Sequence, residues 1–180
     1  PGREAALASL FLSHPTLTSI GVIEAEPQSR LEKSFHLDPR AKEAIGRAIL
    51  EGTGQVQFIQ CDAFQLSEET TTLTWNTNLS SDAIMLAGVL KRNTVLTTLN
   101  VLSGKGEMSD SEREEVGRAL LANKQGKVGF CDIFGLSETG GKTYRCDLRD
   151  KEQVRSMRSF TLLAGLLRAN PILTSLELKS

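Results

Sequence analysis

Leu86-Ala-Gly-Val-Leu-Lys-Arg-Asn-Thr-Val-Leu-Thr-Thr-Leu99 is a stretch the chain writes three times without gaps. Its relatives are Leu7-Ala-Ser-Leu-Phe-Leu-Ser-His-Pro-Thr-Leu-Thr-Ser-Ile20 and Leu163-Ala-Gly-Leu-Leu-Arg-Ala-Asn-Pro-Ile-Leu-Thr-Ser-Leu176. The offsets, 99−20 = 79 and 176−99 = 77, define one long period. A second pair lies between these copies: Glu43-Ala-Ile-Gly-Arg-Ala-Ile-Leu50 matches Glu114-Glu-Val-Gly-Arg-Ala-Leu-Leu121 at an offset of 71. The match runs on through Gly54-Gln-Val-Gln-Phe58 and Gly126-Lys-Val-Gly-Phe130, then through Phe64-Gln-Leu-Ser-Glu68 and Phe134-Gly-Leu-Ser-Glu138. Chance does not produce such agreement. The chain is built from units that bury apolar faces against their neighbours.

Within a unit the hydrophobic period changes from helical to extended. Apolar residues three and four apart predict helices over 81–92, 109–123 and 150–169, with Ser109…Glu112 and Asp150…Gln153 placed for capping. Asp38-Pro39 predicts another helix start, with an end near Leu50. The tails Leu17-Thr-Ser-Ile20-Gly-Val22, Leu96-Thr-Thr-Leu99-Asn-Val101 and Leu173-Thr-Ser-Leu176-Glu-Leu178 all read apolar-x-x-apolar-x-apolar, the pattern of a short strand with alternate residues turned inward. Val56-Gln-Phe58, Leu73-Thr-Trp75, Val128-Gly-Phe130 and Tyr144-Arg-Cys146 predict four weaker strands. Val56 and Leu73 are only 73−56 = 17 residues apart, and Val128 and Tyr144 only 144−128 = 16. These connections are too short for a helix and two turns. The expectation is seven parallel strands and five helices.

The stretches Leu86-x-x-x-Leu90-x-x-Asn93-x-x-Leu96-x-x-Leu99-x-Val101 and Leu163-x-x-x-Leu167-x-x-Asn170-x-x-Leu173-x-x-Leu176-x-Leu178 resemble leucine-rich repeat proteins of the ribonuclease-inhibitor or NOD-receptor type, in an irregular array like those of algae and protists. The resemblance implies an α/β leucine-rich repeat solenoid. It would have a curved parallel β-sheet, helices on the convex side, and a concave face that binds other proteins. On this reading residues 1–180 form a single solenoid with long units at 7–85 and 86–162 and a partial unit at 163–180. Leu7 begins in mid-repeat and Leu178 closes on a strand, so the chain is expected to be a fragment of a longer array, or to pack end to end with flanking repeats or subunits.

Composition excludes several function classes. With 21 Lys plus Arg against 22 Asp plus Glu, the formal net charge is −1, which gives no long-range attraction to nucleic acid. The longest apolar runs, such as 83–90, fall far below the roughly 18 residues of a membrane span, so no membrane insertion is expected. Three cysteines cannot all pair within one chain, which points to a reducing, intracellular, cytoplasmic setting.

No chemical motif is complete. Thr139-Gly-Gly-Lys-Thr143 resembles part of a phosphate-binding loop, but Leu136 stands where its first glycine belongs and the following residues read as strand. Cys61-Asp62, Cys131-Asp132 and Cys146-Asp147 lack the paired spacing of a metal site and read as small core side chains. His14 and His36 are the only histidines, too few for a nucleophilic set around a cysteine. No cofactor, metal or catalytic residue is expected. The preferred reading is a noncatalytic protein-interaction scaffold, whose partner the sequence does not identify. Its outward strand residues would be Thr74, Asn76, Thr98, Asn100, Arg145, Asp147, Ser175 and Glu177. The alternative is a structural subunit or segment embedded in a large multiprotein assembly. A nucleotide-dependent enzyme ranks below both.

Overall fold

The computed structural model describes residues 14, 16–21, 38–61, 63–75, 79–101, 108–147, 149 and 160–179. In chain order these form β1 (Ser19–Gly21), α1 (Pro39–Glu51), β2 (Phe58–Gln60), β3 (Gln65–Leu66), β4 (Thr72–Trp75), α2 (Ser80–Leu90) and β5 (Thr98–Val101). They continue with α3 (Asp110–Ala122), a 3₁₀ turn (Asp132–Phe134), β6 (Thr143–Asp147), α4 (Phe160–Ala169) and β7 (Ser175–Lys179). Helices α1 and α3 start at side-chain caps. The Asp38 carboxylate accepts from the Arg40 and Ala41 N–H groups at 2.7 and 3.0 Å, with Pro39 in the first turn. Ser109 and Glu112 close a capping box, the Ser109 N–H donating to the Glu112 carboxylate at 2.6 Å. The expected helix over 150–169 is seen from Phe160 onward, and residues 150–159 lie outside the described set.

Helices pack in chain order, α1 on α2, α2 on α3 and α3 on α4. A leucine-rich core lies between this layer and the strands, with Ile59, Leu66, Trp75, Met85, Leu86, Leu90, Leu96, Leu99, Leu162 and Leu166 fully buried. Each such side chain contributes about 1.5–3 kcal/mol relative to an exposed one.

The strands do not form the expected leucine-rich repeat solenoid with one curved parallel sheet. Among the described residues they make three small sheets, β1-β2-β3, β4-β5 and β6-β7, with no solenoid closure. The last two sheets are parallel, but β3 runs antiparallel to β2. The reason lies in the two short connections. A parallel crossover needs a dozen or more residues, usually a helix. Here the chain turns straight back: the Cys61 N–H donates to Phe64 O at 3.0 Å, and Ile59 pairs with Leu66. The same return follows Phe130, where Cys131 and Leu136 exchange N–H···O bonds of 2.8 and 2.9 Å around the 3₁₀ turn. The edge that β4 or β6 would have joined is thereby occupied. Residues 128–130 add only a single parallel bridge, Phe130 to Thr98, instead of a strand.

Side-chain amides fix the turns that follow α2, α3 and α4. Asn93, fully buried, donates to Gln57 O at 2.9 Å and accepts from the Val95 and Leu96 N–H groups at 3.0 and 2.8 Å. Asn170 repeats the arrangement, donating to Gly129 O at 2.6 Å and accepting from Ile172 and Leu173, both at 2.9 Å. Asn123 donates to Leu90 O and Asn93 O at 2.8 and 2.6 Å. The last carbonyls of a helix have no intrahelical donor. Lys91 supplies one to Leu50 O, Arg92 to Ile49 O and Gly52 O, and Arg168 to Leu120 O and Asn123 O. Burial lowers the Arg92 pKa from its ordinary value. A buried ion pair, Lys42 to Asp82 at 3.1 Å, ties α1 to α2.

Two glycines set how closely the helices approach. A Cβ on Gly46 would lie 2.6 Å from the Met85 backbone nitrogen, and one on Gly117 would lie 2.5 Å from the Thr161 carbonyl carbon. Both would meet backbone, which cannot move aside. Gly46→Ala and Gly117→Ala are each expected to destabilise by about 1–3 kcal/mol from overpacking, even though alanine favours helix by about 1 kcal/mol. Gly141, with open space around it, serves as the control. Urea unfolding followed by circular dichroism should show a lower midpoint for the first two variants and almost none of this loss for Gly141→Ala.

Candidate interaction surface

Alternation along β4 and β5 turns Leu73, Trp75, Leu99 and Val101 into the core. Thr74, exposed, and the half-buried Thr98 and Asn100 occupy the alternate positions on the outer face. Parallel register sets Thr72 beside Thr98 and Thr74 beside Asn100. In the third sheet Arg145 lies beside Glu177, Asp147 beside Lys179 and Thr143 beside Ser175. The Arg145 guanidinium donates to the Glu177 carboxylate at 2.8 Å, and Lys179 Nζ stands 3.8 Å from Asp147 Oδ2. These side chains are largely exposed, so such pairs contribute at most about 1 kcal/mol and mainly order the surface.

The structure therefore distributes the sequence-predicted residues over two faces. Thr74, Thr98 and Asn100 are gathered on β4-β5, and Arg145, Asp147, Ser175 and Glu177 on β6-β7. No ladder joins the two sheets among the described residues. Asn76 lies outside the described residues. The first face carries hydroxyls and an amide. The second carries two opposite-charge pairs, while Leu176, turned to the other side of β7, is a half-exposed leucine that outward-face reasoning passed over. The repeat gave no signal for it, because the matching Leu99 is fully buried.

The other chemical motifs fall as follows. Lys142 is followed by β6, so the helix that a phosphate-binding loop requires is replaced by a strand at this turn. Gly140 and Gly141 border a small open cleft of about 60 Å³ shared with Ser137, Thr143, Tyr144 and Asn170. Among the described residues no cluster of three or more His, Cys, Asp and Glu side chains could hold a metal ion, and no helix is long and apolar enough to cross a membrane. Cys61, Cys131 and Cys146 are buried and form no disulfide. Burial, assisted by the neighbouring Asp132 charge, pushes the Cys131 thiol up to about 12. Burial also raises the Tyr144 pKa, with further contributions from the charges of Cys146 and Cys131.

No family model, curated protein or solved structure matches the chain.

A buried thiol with a raised pKa is protonated and shielded at neutral pH. A thiol-specific disulfide reagent at pH 8 is expected to leave the native chain almost unreacted, and to titrate all three cysteines once denaturant is added. The raised Cys131 value also sets a sign for stability. Between the ordinary 9.0 and about 12 the unfolded chain binds fewer protons than the native one. Stability from this group is intact below pH 9 and lost as pH rises toward 12. Urea midpoints should fall across that window, and Cys131→Ala should flatten the fall.

Proposed function

We propose that this chain is a noncatalytic protein-interaction module whose recognition residues lie on the outer faces of its short parallel sheets. The observation that carries the reading is the regular outward array on adjacent strands: Thr74 beside Asn100, and Arg145 beside Glu177. Parallel pairing holds such side chains about 4.8 Å apart strand to strand. A rigid, evenly spaced set of donors and acceptors suits binding to another protein surface. Asn93 and Asn170 fix the turns that lead into β5 and β7, so little of this order has to be generated on binding. The near-neutral charge favours recognition by shape and hydrogen bonding over long-range steering.

Asn100→Arg and Glu177→Arg test the reading. Both positions face outward, so circular dichroism and the urea midpoint should stay close to those of the parent. In crosslinking mass spectrometry on native extract, a partner joined through these strand faces should be lost by about tenfold or more in the double variant. Full retention of that partner, with loss on changing helix residues such as Arg47 and Arg118 instead, would place recognition on the helical side and remove the proposal.

A further inference from the structure

The chain contains three copies of the Leu-Thr-x-(Ile/Leu) strand, and two of them are covered in the same way. Thr18 O accepts from the Gln57 and Phe58 N–H groups at 2.8 and 3.1 Å. Thr97 O accepts from Gly129 and Phe130 at 3.1 and 3.2 Å, and the Leu99 N–H donates back to Phe130 O at 3.0 Å. In both cases the covering segment is a Val-x-Phe run that follows a helix ending in Arg-Ala-(Ile/Leu)-Leu. The third copy, Leu173-Thr-Ser-Leu176, pairs on one edge only. Its Thr174 and Ser175 N–H groups donate to Lys142 O at 2.8 and 3.1 Å, as those of Thr97 and Thr98 do to Thr71 O. No described residue pairs with the opposite edge.

The side chains record the same difference. Positions 77 residues apart correspond in the second and third copies. Met85 and Leu162, which face the preceding helix, are both fully buried. On the other flank Ala83, Ala87 and Leu99 are fully buried, while their counterparts Phe160, Ala164 and Leu176 are exposed, Phe160 by 62% and Leu176 by 50%. In the second copy this flank is covered by α3 and residues 128–130, with the Asn123 amide donating to Leu90 O and Asn93 O. Among the described residues the third copy has the corresponding surface without that cover.

We infer that the open flank of α4 and β7 docks a partner polypeptide that presents a helix followed by a Val-x-Phe strand, as this chain does for itself at 43–58 and 114–130. The partner would donate two backbone N–H groups to Thr174 O and accept from the Leu176 N–H. It would also cover Phe160, Ala164 and Leu176. A second copy of this chain is a poor occupant, because its own Phe58 and Phe130 segments are already seated on Thr18 and Thr97. This surface is distinct from the outward sheet faces proposed above.

The test uses the full chain and, as probe, a fluorescein-labelled peptide of residues 108–131 with Cys131→Ser. Expected results are saturable binding in fluorescence anisotropy and slowed amide exchange at Leu176. Leu176→Glu and Phe160→Glu in the full chain should weaken binding by about tenfold or more. Both residues are exposed, so their circular dichroism should match the parent. Asn100→Arg should leave peptide binding unchanged, which separates this surface from the sheet-face reading. The inference is overturned if no saturable binding is seen up to about 1 mM peptide, or if binding survives Leu176→Glu. It is also overturned if light scattering of the chain alone shows association that Leu176→Glu abolishes, because the occupant is then a second copy.

Discussion

Buried backbone carbonyls that need a donor organise this structure. The last carbonyls of α1, α2 and α3 lie beside the next unit and have no partner within their own helix. Side chains from the following unit supply the missing donors: Lys91 and Arg92 serve the end of α1, Asn123 the end of α2, and Arg168 the end of α3. An unsatisfied buried carbonyl costs about 1–3 kcal/mol. Neighbouring units are therefore coupled by hydrogen bonding as well as by apolar contact. The coupling is directional, since apolar faces could slide past one another but an amide that donates and accepts at fixed atoms cannot.

The second and third copies act as an internal control. Asn93 and Asn170 make the same bonds, to Gln57 O and Gly129 O respectively. Thr97 and Thr174 take the same place beside Thr71 O and Lys142 O. Gly46 and Gly117, 71 residues apart, let corresponding helix pairs, α1 with α2 and α3 with α4, meet at backbone distance. Shared interactions explain why the motif recurs. The places where the copies differ then carry information of their own. The outward pairs are polar and uncharged in one sheet and charged in the other, so the two faces offer different chemistry from one backbone plan.

Much of this was legible in the residues, and what was missed has a definite cause. Helical periodicity and capping residues located α1, α2 and α3 to within one or two positions, because caps and apolar spacing are local signals. The alternation in 96–101 and 173–178 likewise gave β5 and β7. The direction of the returns after Gln60 and Phe130 was not legible. Their lengths correctly excluded a helix, but a short apolar run such as Gln65-Leu66 carries no mark of whether it pairs parallel or antiparallel. That one ambiguity decides between a single curved sheet and three small ones. The candidate surface fared similarly. Alternation placed Thr74, Asn100, Arg145 and Glu177 outward, but the division between two faces depends on sheet pairing, which is non-local. Asn123 escaped notice because the matching position in the first unit is Gly52, so repetition drew no attention to it.

That substitution also bears on how the units differ. Gly52, which follows α1, has no side chain to donate, and its N–H instead donates to Ala48 O within its own helix. Asn123, which follows α3, makes the equivalent backbone bond to Ala119 O and adds two side-chain donors across to the end of α2. The joint between α2 and α3 therefore has a buried hydrogen-bonded cross-link supplied by the later helix. The joint between α1 and α2 relies on the buried Lys42–Asp82 pair and on Lys91 and Arg92 reaching back. Charged donors keep their hold only while their partners stay buried and dry, whereas a neutral amide avoids most of the desolvation cost of a charge. The two joints thus solve the same carbonyl problem with different chemistry, and the later one does so with less buried charge.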